Sequence, residues 1–491
     1  MWKRKISIKE QYGTLEHFLK GDEPCHYIGQ RYIEGTNFYA RREWRGVKDT
    51  AFAFYKWLCT WVKMAIFVMH DPVRIAKAFW KYRWLSAYLA APMMVDKWIE
   101  GDRGEALRAD LYALDCMISD STDTLWKSLR ADRRLGETKW SDVTVAFDYT
   151  LPKHIIFGFP GYYAINMQQH AAFMLPLMRK QLGCYYVDQA VACGIPGDMC
   201  TLPLVEVGVA VDREYPDIGN CWLTTNNPCD ANMMDNTAMW RALSNDGKKA
   251  VHPFTTPLMY DDPTTKELGV HEVYSAIEFL EQQFGVKWDW DAFWKNAEMY
   301  NESSRCMIEK WDVNCTEHPQ VCGAALALQR EYEFMAAACM DKFMLKTDRR
   351  VTKMMLKGYE QDKAANAPQP KYRCLVWACP AHYYTNFTYW TQHCWGVTCV
   401  NDMEAMLSYQ PITIGDKEQA LADLVRCYEK MMMRSHTNGG YVNLLDECWK
   451  MCEKFHTNIV IMYDHVSCKN VGGLHGLFED QARERGIHLI W

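Results

Sequence analysis

The sequence predicts an α/β protein. Two doubly wound lobes of the Rossmann or flavodoxin-like kind face a cleft, with an N-terminal helical region and a helical segment between the lobes. Three observations carry this. Short apolar runs rich in β-branched and aromatic residues recur at 143–149, 220–225, 374–378 and 458–462, and such runs read as strands buried on both faces, as in a parallel sheet. Each run ends in a loop dense in turn formers or polar residues, and the best of these loops open into a helical pattern. The strand–loop–helix unit occupies two stretches of chain separated by helical periodicity, which makes two lobes the simplest architecture. The expected divisions are a helical region over 1–140, a first α/β lobe over 141–260, a helical connection over 261–367 and a second α/β lobe over 368–491.

Taken in order, residues 41–69, 76–98 and 104–129 have amphipathic helical spacing and read as a packing layer. The apolar runs at 51–69 and 84–95 are weighed as membrane spans. Lys56 and Lys63 interrupt the first and the second is short of about 18 residues, so both read as aromatic-rich core helices, with no membrane span and an exposed docking surface as the lesser alternative. The run 143–149 is a strand, residues 153–157 begin a helix, and Pro160-Gly161 marks a turn. Residues 193–200 (C-G-I-P-G-D-M-C) form a loop, a helix follows over 204–211, and 220–225 is a buried strand leading into N-N-P-C-D-A-N and a further helix. Asp230 or Asn227 is placed to cap that helix. Val273, Ile277, Leu280 and Phe284 recur at helical spacing until Gly285, and 324–343 continues the helical style. Residues 363–371 read as a linker. Strands at 374–378 and 397–400, helices at 417–435 and 443–455, and a final strand at 458–462 complete the second lobe. Residues 474–485 form a helix closed by Gly486.

Composition narrows the function. The 491 residues are 49% hydrophobic and 24% charged, with a formal net charge of −6. Such a chain can build a large core, and its acidic balance argues against a nucleic-acid binder. Twenty cysteines, 28 methionines and 20 tryptophans, with no signal-length apolar run at the start and no regular Cys spacing, point to a reducing cytoplasm rather than a disulfide scaffold. No C-x-x-C pair is present, which removes the usual zinc-ribbon signature.

Three cysteines stand apart from the rest. Cys200 lies in a Gly/Pro-bounded turn before a helix. Cys229 and Cys468 lie at strand ends opening toward helices, at the edge where open parallel sheets bind ligands. A helix N-terminus and the neighbouring Lys469 favour a thiolate at Cys468. Three soft thiolates from separated loops suit a site-differentiated iron–sulfur cluster. Zinc held by three Cys with His465, His382 or His393 is the alternative. Cys379, in C-P-A-H at another strand end, is a further candidate ligand or cleft residue. Cys306, Cys315, Cys322 and Cys339 read as core or surface thiols. Cys448 and Cys452, four apart on one helix face, have the spacing of a ligand pair but read as core thiols.

The segments 193–208 (C-G-I-P-G-D-M-C-T-L-P-L-V-E-V-G), 225–230 (T-N-N-P-C-D), 376–384 (V-W-A-C-P-A-H-Y-Y), 433–441 (M-R-S-H-T-N-G-G-Y) and 461–469 (I-M-Y-D-H-V-S-C-K) resemble the 2-hydroxyacyl-CoA dehydratase and benzoyl-CoA reductase family. They are most similar to the larger (alpha) subunit of the 2-hydroxyglutaryl-CoA dehydratase type, and the likeness covers most of the chain from about residue 141 onward. Carried over by position, the family's cluster ligands fall on Cys200, Cys229 and Cys468, which would hold a [4Fe–4S] cluster with one iron open to substrate. The small hydroxyl residue and the acid common in the family are replaced by Tyr149 or Thr150 and by Gln168 or Gln169, so the acyl chain and the acid–base group stay open. The chain also stops at His488-Leu489-Ile490-Trp491, inside a strand.

The resemblance implies a lyase: an oxygen-sensitive (R)-2-hydroxyacyl-CoA dehydratase subunit giving an enoyl-CoA, in a cytoplasm suited to anaerobic amino-acid fermentation. The β hydrogen of a thioester is too weakly acidic for ordinary elimination. One electron passed to the carbonyl makes a ketyl radical anion that expels the adjacent hydroxide, after which the β proton is acidified and the electron recovered. Implied partners are a related second subunit, giving a heterodimer, and a separate ATP-dependent iron–sulfur activator. The competing readings are a subunit of an aromatic acyl-CoA reductase of the benzoyl-CoA type, an electron-relay subunit without its own substrate site, and a zinc-dependent or purely structural α/β protein.

Overall fold

The computed structural model describes residues 46–93, 99, 102–147, 153–166, 175, 180–225, 229–243, 249–255, 262–336, 342–377, 391–392, 395–403, 410–430, 440–464 and 467–491. The described chain opens with α1 (Val47–Met69), α2 (Pro72–Lys81), a 3-10 stretch Arg83–Met93 and α3 (Gly104–Ala131). Asp71 caps α2 by accepting from the Arg74 amide at 2.9 Å, with Pro72 in the first turn where no N–H is needed. The Arg74 guanidinium donates to the carbonyls of Leu129, Asp132 and Gly136 at 2.6, 2.7 and 2.8 Å. It thereby satisfies the open C-terminal end of α3.

Two four-stranded sheets follow, and both are wholly parallel. The first consists of β1 (Thr144–Phe147), β2 (Tyr163–Asn166), β3 (Cys221–Thr225) and β4 (Ala250–Phe254), in the order β2-β1-β3-β4. The second consists of β5 (Tyr372–Trp377), β6 (Val397–Asp402), β7 (Ile459–Met462) and β8 (His488–Ile490), in the order β6-β5-β7-β8. The orders are the same, so β3 and β7 are equivalent strands of two copies of one plan.

The first sheet has α4 (Lys180–Ala192), α5 (Thr201–Val211) and α6 (Asp230–Leu243) threaded between its strands, and α7 (Pro263–Phe284) follows β4. Its residues alternate between two cores, as the period of a strand requires. Val145, Phe147, Cys221 and Leu223 join Val273, Ile277 and Leu280 of α7. Ala146 and Trp222 face Tyr186, Val205 and Val209 of α4 and α5. Three more helices lead to the second sheet: α8 (Trp290–Val313), α9 (Ala324–Ala336) and α10 (Lys342–Ala364). The second sheet carries α11 (Lys417–Glu429), α12 (Gly440–Lys454), the one-turn α13 (Lys469–Gly472) and α14 (His475–Arg485). Although α11 lies between β6 and β7 in sequence, its Leu421, Leu424 and Tyr428 pack into the first sheet's core. A Cβ on Gly269 of α7 would fall 2.6 Å from the Val425 side chain, so these two helices touch closely.

Polar groups are buried among the connecting helices. The Gln329 amide donates to Asp110 at 2.6 Å, and Lys310 donates to Gln329 at 3.0 Å and pairs with Glu333. The Trp311 indole donates to Glu333 at 2.7 Å. Burial pushes the Glu333 carboxyl up to about 7 and that of Asp110 up to about 6.

Residues 51–69 depart from the expected core helix. In α1 the buried face consists of Ala53, Lys56, Thr60, Met64 and Phe67. Phe54, Leu58, Val62 and Met69 point outward. The inward side is fixed by charge: Lys56 and Lys63 both reach Asp115 of α3, at 3.2 and 2.6 Å. By length and composition alone this helix could cross a membrane. The second apolar run does become core, through Trp84, Leu85, Ala87 and Tyr88. The expected helix start at 153–157 is a 3-10 turn, Lys153–Gly158, held against the Trp288 ring.

Candidate functional site

Cys200 is the N-cap of α5, and its carbonyl accepts the first helical bond, from Leu204 at 3.4 Å. Pro203 sits in the first turn, where its missing N–H costs nothing, so the helix begins three residues earlier than the expected Leu204. Two features hold α5 in place. It crosses α4 so closely that a Cβ on Gly208 would lie 1.9 Å from the Tyr186 carbonyl oxygen. Beyond its C-terminal end, Arg83 pairs with Asp212 and Glu214. The Tyr186 hydroxyl donates to Glu214 at 2.6 Å, and the Tyr215 hydroxyl donates to the buried Glu206 at 2.7 Å.

Cys229 occupies the equivalent position before α6, its carbonyl accepting from the Met233 amide at 3.0 Å. Asp230 opens the helix, and Asn236 of α6 reaches back to the Thr225 carbonyl at the end of β3. Cys200 and Cys229 pack against one small apolar cluster of Ala190, Met199, Leu204, Val207 and Ala231. The N-terminal loops of α5 and α6 are thus neighbours. Asn227 lies outside the described residues.

Cys468 caps the single turn α13, receiving the Val471 amide at 3.3 Å. The expected helix dipole is weaker here than at the other two cysteines. One turn aligns few peptide dipoles, and the longer α14 begins only at His475. The loop is fixed by other means. Asp464 accepts from the Trp491 indole at 3.1 Å, and Trp491 stacks on His475 with ring centroids 4.4 Å apart. The adjacent Lys469 ammonium stands 3.3 Å from the Asp198 carboxylate, two residues before Cys200. The Cys468 loop therefore lies against the Cys200 loop, across the two sheets.

The three thiols are half-buried. Other cysteines serve packing. Burial pushes Cys221 and Cys427 up to about 12, and Cys448 and Cys452, whose spacing would also suit a ligand pair, are buried core thiols on α12, as expected. Among the described residues every cysteine is a thiol rather than half of a disulfide. Among the same residues no three His, Cys, Asp or Glu side chains are gathered closely enough to hold a metal ion. The donor chemistry of three half-buried thiols fits iron–sulfur ligation, while among the described residues the loops of Cys229 and Cys468 each lie beside that of Cys200 without forming a closed ligand triangle. Cys379, His382, His393, His465, Tyr149, Thr150, Gln168 and Gln169 lie outside the described residues.

β3 and β7 are the strands on the far side of the central strands β1 and β5, where the order in each sheet reverses, and in open α/β sheets ligands bind at that point. A paired parallel α/β protein with thiol-bearing loops at both reversal points is the class that fold and loops define. Residues 168–490, more than half of the chain, match the family described as 2-hydroxyglutaryl-CoA dehydratase, D-component, and the chain belongs to that family. It is a 2-hydroxyacyl-CoA dehydratase subunit, with hydro-lyase activity and an acyl-CoA substrate at the level of the family. A search of the curated proteins gives no match.

The lateral tie between Asp198 and Lys469 was not legible in the sequence. Both are charged residues in polar loops, and nothing local marks a pairing between distant loops. The clamp of Arg83 on Asp212 and Glu214 was missed for the same reason.

Proposed function

We propose that this chain is the cluster-bearing subunit of an oxygen-sensitive (R)-2-hydroxyacyl-CoA dehydratase acting in a reducing, anaerobic cytoplasm. Cys200, Cys229 and Cys468 would be the ligands of a [4Fe–4S] cluster. A related second subunit and an ATP-dependent iron–sulfur activator are its partners. The observation that carries the reading is the ion pair between Asp198 and Lys469, which sets the Cys468 loop beside the loop of Cys200. Cys229 joins Cys200 through the apolar cluster they share.

When bound, the cluster supplies a one-electron path to the thioester carbonyl. The protein's part is to hold and shield. Cys200 is the N-cap of α5 and Cys229 directly precedes α6, so both thiols stand at helix N-terminal ends. Thiolate is the form that would bind iron. Ligand binding draws loops together, because metal affinity is spent in part on ordering its ligands. The buried Arg83–Asp212–Glu214 clamp and the Gly208 crossing keep α5 fixed while the loops adjust.

The test is anaerobic. The purified chain, reconstituted with iron and sulfide, is mixed with its partner subunit, a reduced activator, ATP and a 2-hydroxyacyl-CoA. Enoyl-CoA formation that needs ATP and is lost in air supports the reading. Reduction of benzoyl-CoA with no dehydration under the same conditions would overturn it.

A further inference from the structure

We propose that α1 is a self-association helix that pairs antiparallel with α1 of a second copy of this chain, about a two-fold axis through Leu58. The inference is independent of the cluster, and α1 lies outside the residues that match the family. The outer face of α1 consists of Val47, Ala51, Phe54, Leu58, Val62, Ala65 and Met69, all exposed and none charged. Met69 is 72% exposed, Phe54 62% and Leu58 48%. An apolar face turned outward while Lys56 and Lys63 are turned inward is the reverse of a solvated surface helix.

The spacing along this face is four, three, four and again four, three, four, so it reads the same from either end. Val47, Leu58 and Met69 recur at an 11-residue repeat, about 3.67 residues per turn, which keeps the stripe nearly parallel to the helix axis. Turned about Leu58, the stripe meets itself with Val47 against Met69, Ala51 against Ala65 and Phe54 against Val62. Self-complementarity of this kind is what a two-fold interface requires.

Charge agrees with that direction. The last turn of α1 holds no basic residue to offset its open carbonyls. In the antiparallel pair the exposed Lys48 of one copy falls beside the C-terminal end of the other. A membrane surface fits less well, because helices that lie on lipid carry basic residues on their polar face. Here that face is buried, and its two lysines are committed to Asp115.

Area sets the strength. A 23-residue helix is about 34 Å long and about 10 Å across, so the pair buries on the order of 700 Å² in total. That is below the ~1,200 Å² of a stable interface. The dimer is therefore weak and concentration-dependent.

Sedimentation of the full chain from about 1 to 100 µM tests this. The expected result is a monomer–dimer equilibrium whose dissociation constant rises about tenfold or more in Leu58→Glu, with unchanged far-UV circular dichroism. Under mild oxidation, Leu58→Cys chains should link to themselves through position 58, mapped by peptide mass spectrometry against the wild-type chain. Val47→Cys chains should not self-link, since their own copies stand about 33 Å apart, but should link to Met69→Cys chains. A monomer at every concentration, a dimer indifferent to Leu58→Glu, or self-linking of Val47→Cys would overturn the proposal. Binding to vesicles by a chain that stays monomeric would also overturn it.

Discussion

Lys469 and Asp198 stand 3.3 Å apart, ammonium to carboxylate, and join the loop after β7 to the loop before α5. Lys469 is next to Cys468 and Asp198 is two residues from Cys200, both proposed above as cluster ligands. Both side chains are more than half exposed, so the pair is worth only about 0–1 kcal/mol to folding. Asp198→Asn should leave the melting temperature nearly unchanged. On the reading above, it should speed the loss of iron to a chelator severalfold, because the two loops are no longer held together. Equal rates of iron loss would remove the ion pair from any part in the site.

Gly208 is required by packing. The Cβ of Gly208→Ala would fall 1.9 Å from a backbone oxygen of α4, which cannot rotate away as a side chain can. The substitution should cost at least the 1–3 kcal/mol typical of an overpacked core. Thermal unfolding measures it. A melt equal to that of the wild type would show that α4 and α5 can separate cheaply.

Arg83→Ala leaves Asp212 and Glu214 buried without their cation. Breaking such a pair costs about 3–5 kcal/mol. Arg83→Lys should recover only part of it, since one ammonium cannot reproduce the planar fork that serves both carboxylates. Denaturant melts of the two variants check the order of stability: wild type, then the lysine variant, then the alanine variant.

The central strands were legible because burial on both faces leaves a continuous apolar run. β1, β3 and β7 fall within the expected segments at 143–149, 220–225 and 458–462, and β5 overlaps the expected 374–378 but begins two residues earlier, at Tyr372. The edge strand β4 was not: it carries His252 and Pro253, and a proline is tolerated only where no partner needs the N–H. The four-residue β2 also lacks a β-branched run. The positions of Cys200 and Cys229 before helices could be read from turn formers and periodicity. The packing of α11 on the first sheet and the polar network around Glu333 depend on distant contacts, which no local pattern encodes.

Glu333 should make stability depend on pH. Its carboxyl is pushed by burial to about 7 in the folded chain, against an ordinary value near 4.5 when unfolded. Between these values the folded state binds the extra proton, so this contribution is fully present below about 4.5 and is lost as pH rises through about 7. Glu333→Gln keeps a partner for Trp311 and removes the titration. Its stability should lose this part of the wild-type slope between about pH 4.5 and 7. Identical slopes in both chains would assign the pH dependence to other groups.

The central claim is that Cys200, Cys229 and Cys468 hold one cluster, and iron and sulfide analysis after anaerobic reconstitution tests it most directly. The chain should bind about four iron and four sulfide. Cys200→Ala, Cys229→Ala and Cys468→Ala should each lose most of both while keeping far-UV circular dichroism and a cooperative melt, because a core of this size does not depend on one metal site. A Cys468→Ala chain with the full iron and sulfide content of the wild type would contradict the account.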